Sequence, residues 1–115
     1  ISFKENCTDI RNSKIINIIN RLNEYGINPI VVDPQADKND VKREYDIDLV
    51  ELNEVKDADC LVFAVAHDEF KNMSIEKIDG LFSSLDYNKK IIIDVKGIID
   101  KNKISKKNDY SYWRL

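Results

Sequence analysis

Four short runs rich in β-branched residues, 29–33, 47–50, 60–65 and 90–95, constrain the fold of this 115-residue sequence more than any other feature. None alternates apolar with polar residues as a strand with one wet face would, so each reads as a strand buried on both faces. The segments between them have helical period. Over residues 13–25, Ile15, Ile18, Ile19 and Leu22 fall at i, i+3, i+4 and i+7, with Ile16 and Tyr25 widening the stripe. Asn12 or Ser13 is placed to cap the start of this helix, and Gly26 to end it in the left-handed conformation. A second helix is predicted over 38–45 and a third over 74–85, where Ile75, Ile78, Leu81, Phe82 and Leu85 recur on one face. Strands of this kind joined by one-faced helices imply right-handed crossovers. The expected class is α/β, a Rossmann-like three-layer sandwich whose mainly parallel sheet has about five strands, counting one at the opening Ile1-Ser2-Phe3.

Size and composition narrow the function. With 43% hydrophobic and 34% charged residues, the chain fits one domain with one core. It opens without Met inside an apolar stretch, which reads as a first strand clipped from a longer parent, so 1–115 is expected to be a single domain of a larger protein. A net charge of -3 supplies no basic field, and nucleic acid is not an expected partner. The longest apolar run, 61–66, is far short of the roughly 20 residues of a membrane helix, and no secretory signal opens the chain. A cytoplasmic protein with no membrane partner is expected. Cys7 and Cys60 match no metal or CxxC spacing and read as two reduced thiols. The Lys-rich stretch 101–107 reads as a solvated turn or short helix, and the aromatic tail 110–113 as packing on the domain or on a neighbour.

In open α/β sheets, ligands bind beyond the carboxyl ends of the strands. Three segments leave such ends: 4–12, 66–71 and 95–98. The first and last carry Lys4, Arg11, Lys96 and Gly97, combining cations with a permissive backbone position in the way that suits a phosphate. A dinucleotide would instead require a glycine-rich turn after the first strand, and the only glycines are Gly26, Gly80 and Gly97. Asp33, placed like a ribose-binding acid, therefore lacks its companion and reads as turn chemistry, with Asp37, Asp40 and Glu44 on a solvated helix face. Asp9 and Arg11 either pair in the turn, an exposed contact worth about 0–1 kcal/mol, or the carboxylate orients the guanidinium for a phosphate; the two roles are compatible. His67, before Asp68, has the spacing of an oriented base, but no nucleophile stands near it in sequence, and a helix cap is the better reading.

The blocks FKENCTDIRNSK, YGI, VVDPQAD, AVAHDEF, IIIDVKGI and YWRL, in that order along nearly the whole chain, resemble the C-terminal domain of the UDP-glucose/GDP-mannose dehydrogenase family. The opening block is most similar to the Vi-polysaccharide type, which oxidises the 6-hydroxyl of a UDP-N-acetylhexosamine to a carboxylate with NAD for polysaccharide biosynthesis. This resemblance implies a homo-oligomeric parent with an N-terminal domain that holds NAD, a central dimerising helix, and this domain over the cleft. The catalytic Cys, Lys and Asp would lie outside this chain, so Cys7 is not the nucleophile and no residue here is catalytic. Phe3 and Lys4 match family positions that approach the UDP-sugar, and Arg11 matches an arginine that reaches the cofactor's phosphates. Lys96 stands where some members carry a substrate-contacting arginine, although Val95 and Gly97 depart from the Gly-Arg-Arg of the UDP-glucose branch. The alternative is a stand-alone Rossmann-like or receiver-like module without catalysis. A receiver, however, needs an acidic pair after its first strand and an aspartate after its third, where Glu51 stands.

Overall fold

The computed structural model describes residues 1–83, 89–105 and 109–115, and their contacts separate into two compact units, residues 1–54 and 55–115. The first holds helices α1 (Ile15–Glu24) and α2 (Lys38–Tyr45). The second holds strand β1 (Cys60–Phe63), helices α3 (Asp68–Lys71) and α4 (Ile75–Asp79), strand β2 (Lys90–Asp94), helix α5 (Lys101–Ser105) and strand β3 (Tyr110–Arg114).

In the first unit, α1 buries Ile19 in a core with Ile1, Ile10, Val41 and Leu49. The helix ends as its glycine requires. Gly26 takes φ +79°, the Ile27 N–H donates to the Leu22 carbonyl at 3.0 Å, and the Gly26 N–H donates to that of Asn23 at 3.0 Å. Its start differs from the expectation: Lys14 occupies the cap position with no side-chain hydrogen bond, and Ser13, one residue earlier, is buried. The α2 helix is capped by Asp37, which accepts from the Asp40 N–H at 3.0 Å, and is closed by Asp46 in the left-handed region. The runs 29–33 and 47–50 meet through a single parallel bridge, Val31 to Leu49.

In the second unit the three strands form one parallel sheet in the order β1-β2-β3. Cys60 pairs with Ile91, and Lys90 with Tyr110. This sets Phe63, Ile92 and Tyr112 on one face, where they pack with Ile78, Phe82, Ile99 and Ile104. On the other face Val62, Ile91 and Trp113 remain 45%, 37% and 67% exposed. At the amino end of the sheet, Lys90 Nζ and the Tyr110 hydroxyl both reach Asp79 Oδ1, at 2.6 and 2.7 Å.

The α/β class and the parallel sheet stand, but the strand count and the double burial do not. Among the described residues the sheet has three strands, not about five. Residues 1–3 form no ladder, because the Ser2 N–H and hydroxyl both donate to Asp33 Oδ2 at 2.7 Å instead. The aromatic tail is itself a strand. The third predicted helix stops at Gly80, where the chain turns so that Leu81 and Phe82 enter the core and the Ser83 N–H reaches the Ala58 carbonyl. Leu85, Lys106 and Lys107, named in the sequence reading, lie outside the described residues.

Candidate functional site

The loop 3–12 is closed on itself. The Phe3 N–H donates to the Asp9 carbonyl at 2.7 Å, and Asn6 and Asn12 take positive φ, a conformation asparagine tolerates. Below the loop, Ile10 is buried and its carbonyl accepts from the Tyr45 hydroxyl at 2.5 Å, which ties the loop to α2. Anchored in this way, Phe3 stays 56% exposed, and Lys4 is exposed beside it. Phe3, Asp9, Arg11 and Asn12 line a shallow depression of about 260 Å³.

Arg11 and Asp9 pair side by side. Arg11 Nε lies 3.0 Å from Asp9 Oδ1 and Nη2 lies 3.0 Å from Oδ2, and the Arg11 N–H also donates to Oδ1 at 2.9 Å. The hydrogen bond from Arg11 holds the Asp9 carboxyl below its usual range, and the same bond raises Arg11. The guanidinium is 83% exposed, so it is oriented by the carboxylate and still open to a ligand.

In the second unit, the turn after β2 presents Lys96 at the carboxyl edge of the sheet, exposed, with Gly97 beside it at φ +66°. Lys4 and Lys96 are in no ion pair among the described residues, so two of the expected cations are open to an anion. Phe3, Lys4 and Arg11 thus share one loop of the first unit, and Lys96 belongs to the second.

Asp94, which no sequence motif singles out, sits at the centre of a polar network. This carboxylate has 0% exposure and accepts from the Ile98 N–H at 3.0 Å, the Ile99 N–H at 2.9 Å and the Tyr112 hydroxyl at 2.6 Å. Arg114 Nε donates to that hydroxyl at 2.9 Å and Nη2 to the Ile99 carbonyl at 2.7 Å. Burial works against the Asp94 charge, yet the Tyr112 hydroxyl and the backbone N–H groups hold its carboxyl below the usual range. Burial and Asp94 together push the Tyr112 hydroxyl up. The sequence shows only an acid closing an apolar run; that Tyr112 and Arg114 share one face follows from their place on β3.

His67 is wholly buried. Its ring packs 5.7 Å from Phe70 and its carbonyl accepts from the Phe70 and Lys71 N–H groups, so it opens α3 through its backbone. Lys71 in this third loop pairs with Asp68 at 3.2 Å. The Cys7 sulfur accepts from the Asp9 N–H at 3.4 Å; Cys60 is exposed, and its thiol is pushed up by burial and by Asp59.

The residues present do not fit a dinucleotide. Both oxygens of Asp33 are engaged: Oδ2 by the Ser2 N–H and hydroxyl, Oδ1 by the Gln35 and Ala36 N–H groups at 2.9 and 3.0 Å. Loop 3–12 contains no glycine to bring a pyrophosphate close to its backbone. No group of His, Cys, Asp and Glu among the described residues could hold a metal ion, and no described helix is long and apolar enough to cross a membrane.

A parallel α/β sheet with an exposed cation, Lys96, beyond the carboxyl end of a strand has the architecture in which such folds bind their ligands. Comparison with known proteins makes the class particular. The profile of the UDP-glucose/GDP-mannose dehydrogenase family, UDP binding domain, matches residues 1–101. Protein CapL of Staphylococcus aureus is 38% identical over 115 residues, all of this chain and 26% of that protein. The UDP-N-acetyl-D-glucosamine 6-dehydrogenases of Pseudomonas aeruginosa and Salmonella typhi are 38% and 37% identical, over 90% and 85% of this chain and 24% and 22% of theirs. The chain belongs to the UDP-glucose/GDP-mannose dehydrogenase family and corresponds to its UDP-binding domain. It spans about a quarter of the length of these relatives, and its membership decides against the receiver-like alternative.

Proposed function

We propose that residues 1–115 act as a single Rossmann-like, three-layer UDP-sugar-binding domain of an NAD-dependent UDP-N-acetylhexosamine 6-dehydrogenase that works in the cytoplasm, as a homo-oligomer, in polysaccharide biosynthesis. The observation that carries this reading is the family match, which runs through both cation-bearing loops. The names of two relatives, UDP-N-acetyl-D-glucosamine 6-dehydrogenase, support the substrate class. In this reading Phe3 and Lys4 approach the UDP-sugar, Lys96 stands at a substrate-contacting position of the second unit, and Arg11, oriented by Asp9, faces the phosphates of the cofactor. NAD itself is held by the rest of the longer enzyme, in keeping with the absence of a glycine-rich turn here. The domain contributes binding energy. Gripping the nucleotide, remote from the reacting sugar carbon, orients the sugar and lowers the barrier at that distant centre.

An NMR titration of the labelled chain with UDP, UDP-N-acetylglucosamine and NAD tests the reading. Shifts for the uridine compounds on residues 3–11 and 95–98, with little response to NAD, are expected. Binding of NAD alone, or silence of those loops at millimolar UDP, would overturn it.

A further inference from the structure

We infer that Asp94, Tyr112 and Arg114 form a clamp that fixes the turn carrying Lys96, and so act as positioning residues for the anionic ligand; this rests on the reading of Lys96 given above. The turn is held from both sides. From β2, the buried Asp94 carboxylate gathers the N–H groups of Ile98 and Ile99. From β3, the Tyr112 hydroxyl donates to that carboxylate and accepts from Arg114, whose guanidinium reaches across to the Ile99 carbonyl. The parallel register pairs Asp94 with Arg114, which brings both strand ends to the same edge as Lys96.

Gly97 closes the arrangement. A Cβ there would meet Arg114 Nε at 3.4 Å and Cδ and Cζ at 3.6 Å, so the guanidinium lies against the turn's backbone, and φ +66° lets that backbone present itself bare. A lysine on a four-carbon stem loses rotamer freedom when it binds, and a turn of fixed shape reduces what remains to be ordered. The Arg114 side chain is 41% exposed, and its three polar contacts all lie within this network.

The test is a double-mutant cycle in the full-length enzyme, with KM for the UDP-sugar, KM for NAD and kcat measured separately. Tyr112→Phe keeps the ring and removes the hydroxyl that bridges Asp94 and Arg114, leaving between them only their 4.0 Å ion pair. It is expected to raise KM for the UDP-sugar about tenfold with kcat and KM for NAD within about twofold, the pattern of lost uniform binding. Lys96→Ala should show a loss of similar size, and the double variant a loss no greater than Lys96→Ala alone, since a clamp that works through Lys96 has nothing left to position. Arg114→Lys, which keeps the charge and loses the planar fork, replaces Tyr112→Phe in the same cycle if that variant fails to melt cooperatively. A normal KM in Lys96→Ala would remove the reading of Lys96 and the clamp with it. A tenfold effect of Lys96→Ala with a silent Tyr112→Phe, or two effects that multiply, would leave Lys96 as a ligand and overturn the clamp.

Discussion

Asp33 and Asp94 are buried carboxylates that remain charged because donors surround them. For Asp94, burial opposes the charge, and the Tyr112 hydroxyl and the Ile99 and Ile98 N–H groups outweigh it; the carboxyl lies below the usual range. A carboxyl whose pKa is lower folded than unfolded adds stability above the unfolded value of about 3.9 and loses it as pH falls through the folded value. Urea unfolding should therefore show stability falling below about pH 4, and carboxyl-carbon NMR should place Asp94 below an ordinary aspartate; an ordinary titration of Asp94 would contradict the network drawn around it. Backbone conformation gives a second residue-scale expectation. Gly97→Ala places a Cβ at φ +66° against Arg114 and should cost about 1–2 kcal/mol, whereas Gly80→Ala, in ordinary helical conformation with its nearest contacts at 3.5 Å, should stay within about 0.5 kcal/mol. Denaturant midpoints of the two variants decide this.

At the scale of elements, β2 is the centre of the second unit. Ile92 has 0% exposure and packs with Phe63, Ile78 and Ile104, so Ile92→Ala should cost about 2–5 kcal/mol. Val62, 45% exposed on the opposite face, should lose less than about 1 kcal/mol on the same truncation; comparable losses would mean that this face is covered. Helix α2 depends on its cap, and Asp37→Ala should cost about 1 kcal/mol, read by thermal melting. The elements most legible in the sequence were those with strong period or punctuation: α1 by its isoleucine stripe and Gly26, α2, and the apolar runs of β1 and β2. β3 was not legible, because Tyr, Ser, Tyr, Trp and Arg make a strand only when β2 offers a free edge to pair with. The third helix was overread, since the residues continuing its stripe, Leu81 and Phe82, are apolar to fill the core beyond the helix end.

At the scale of the whole molecule, the chain on its own should bind UDP and yet reduce no NAD when UDP-N-acetylglucosamine is added, because its loops offer cations to a phosphate but no dinucleotide turn. Growth of NADH absorbance with the isolated chain would overturn that division of labour. The sequence by itself determined the class, the family and the loops that bear Phe3, Lys4, Arg11 and Lys96, because these depend on local period, on spacing and on residues contiguous in the chain. Only the tertiary structure decided that Asp33 is consumed by Ser2, that Asp9 grips Arg11 in a fork, and that Asp94 meets Tyr112 and Arg114 from 18 residues away and beyond. These contacts join segments far apart in the sequence, or depend on rotamers, and neither is encoded in a pattern of neighbours; they arise when parallel pairing of β2 with β3 brings two strand ends to one edge.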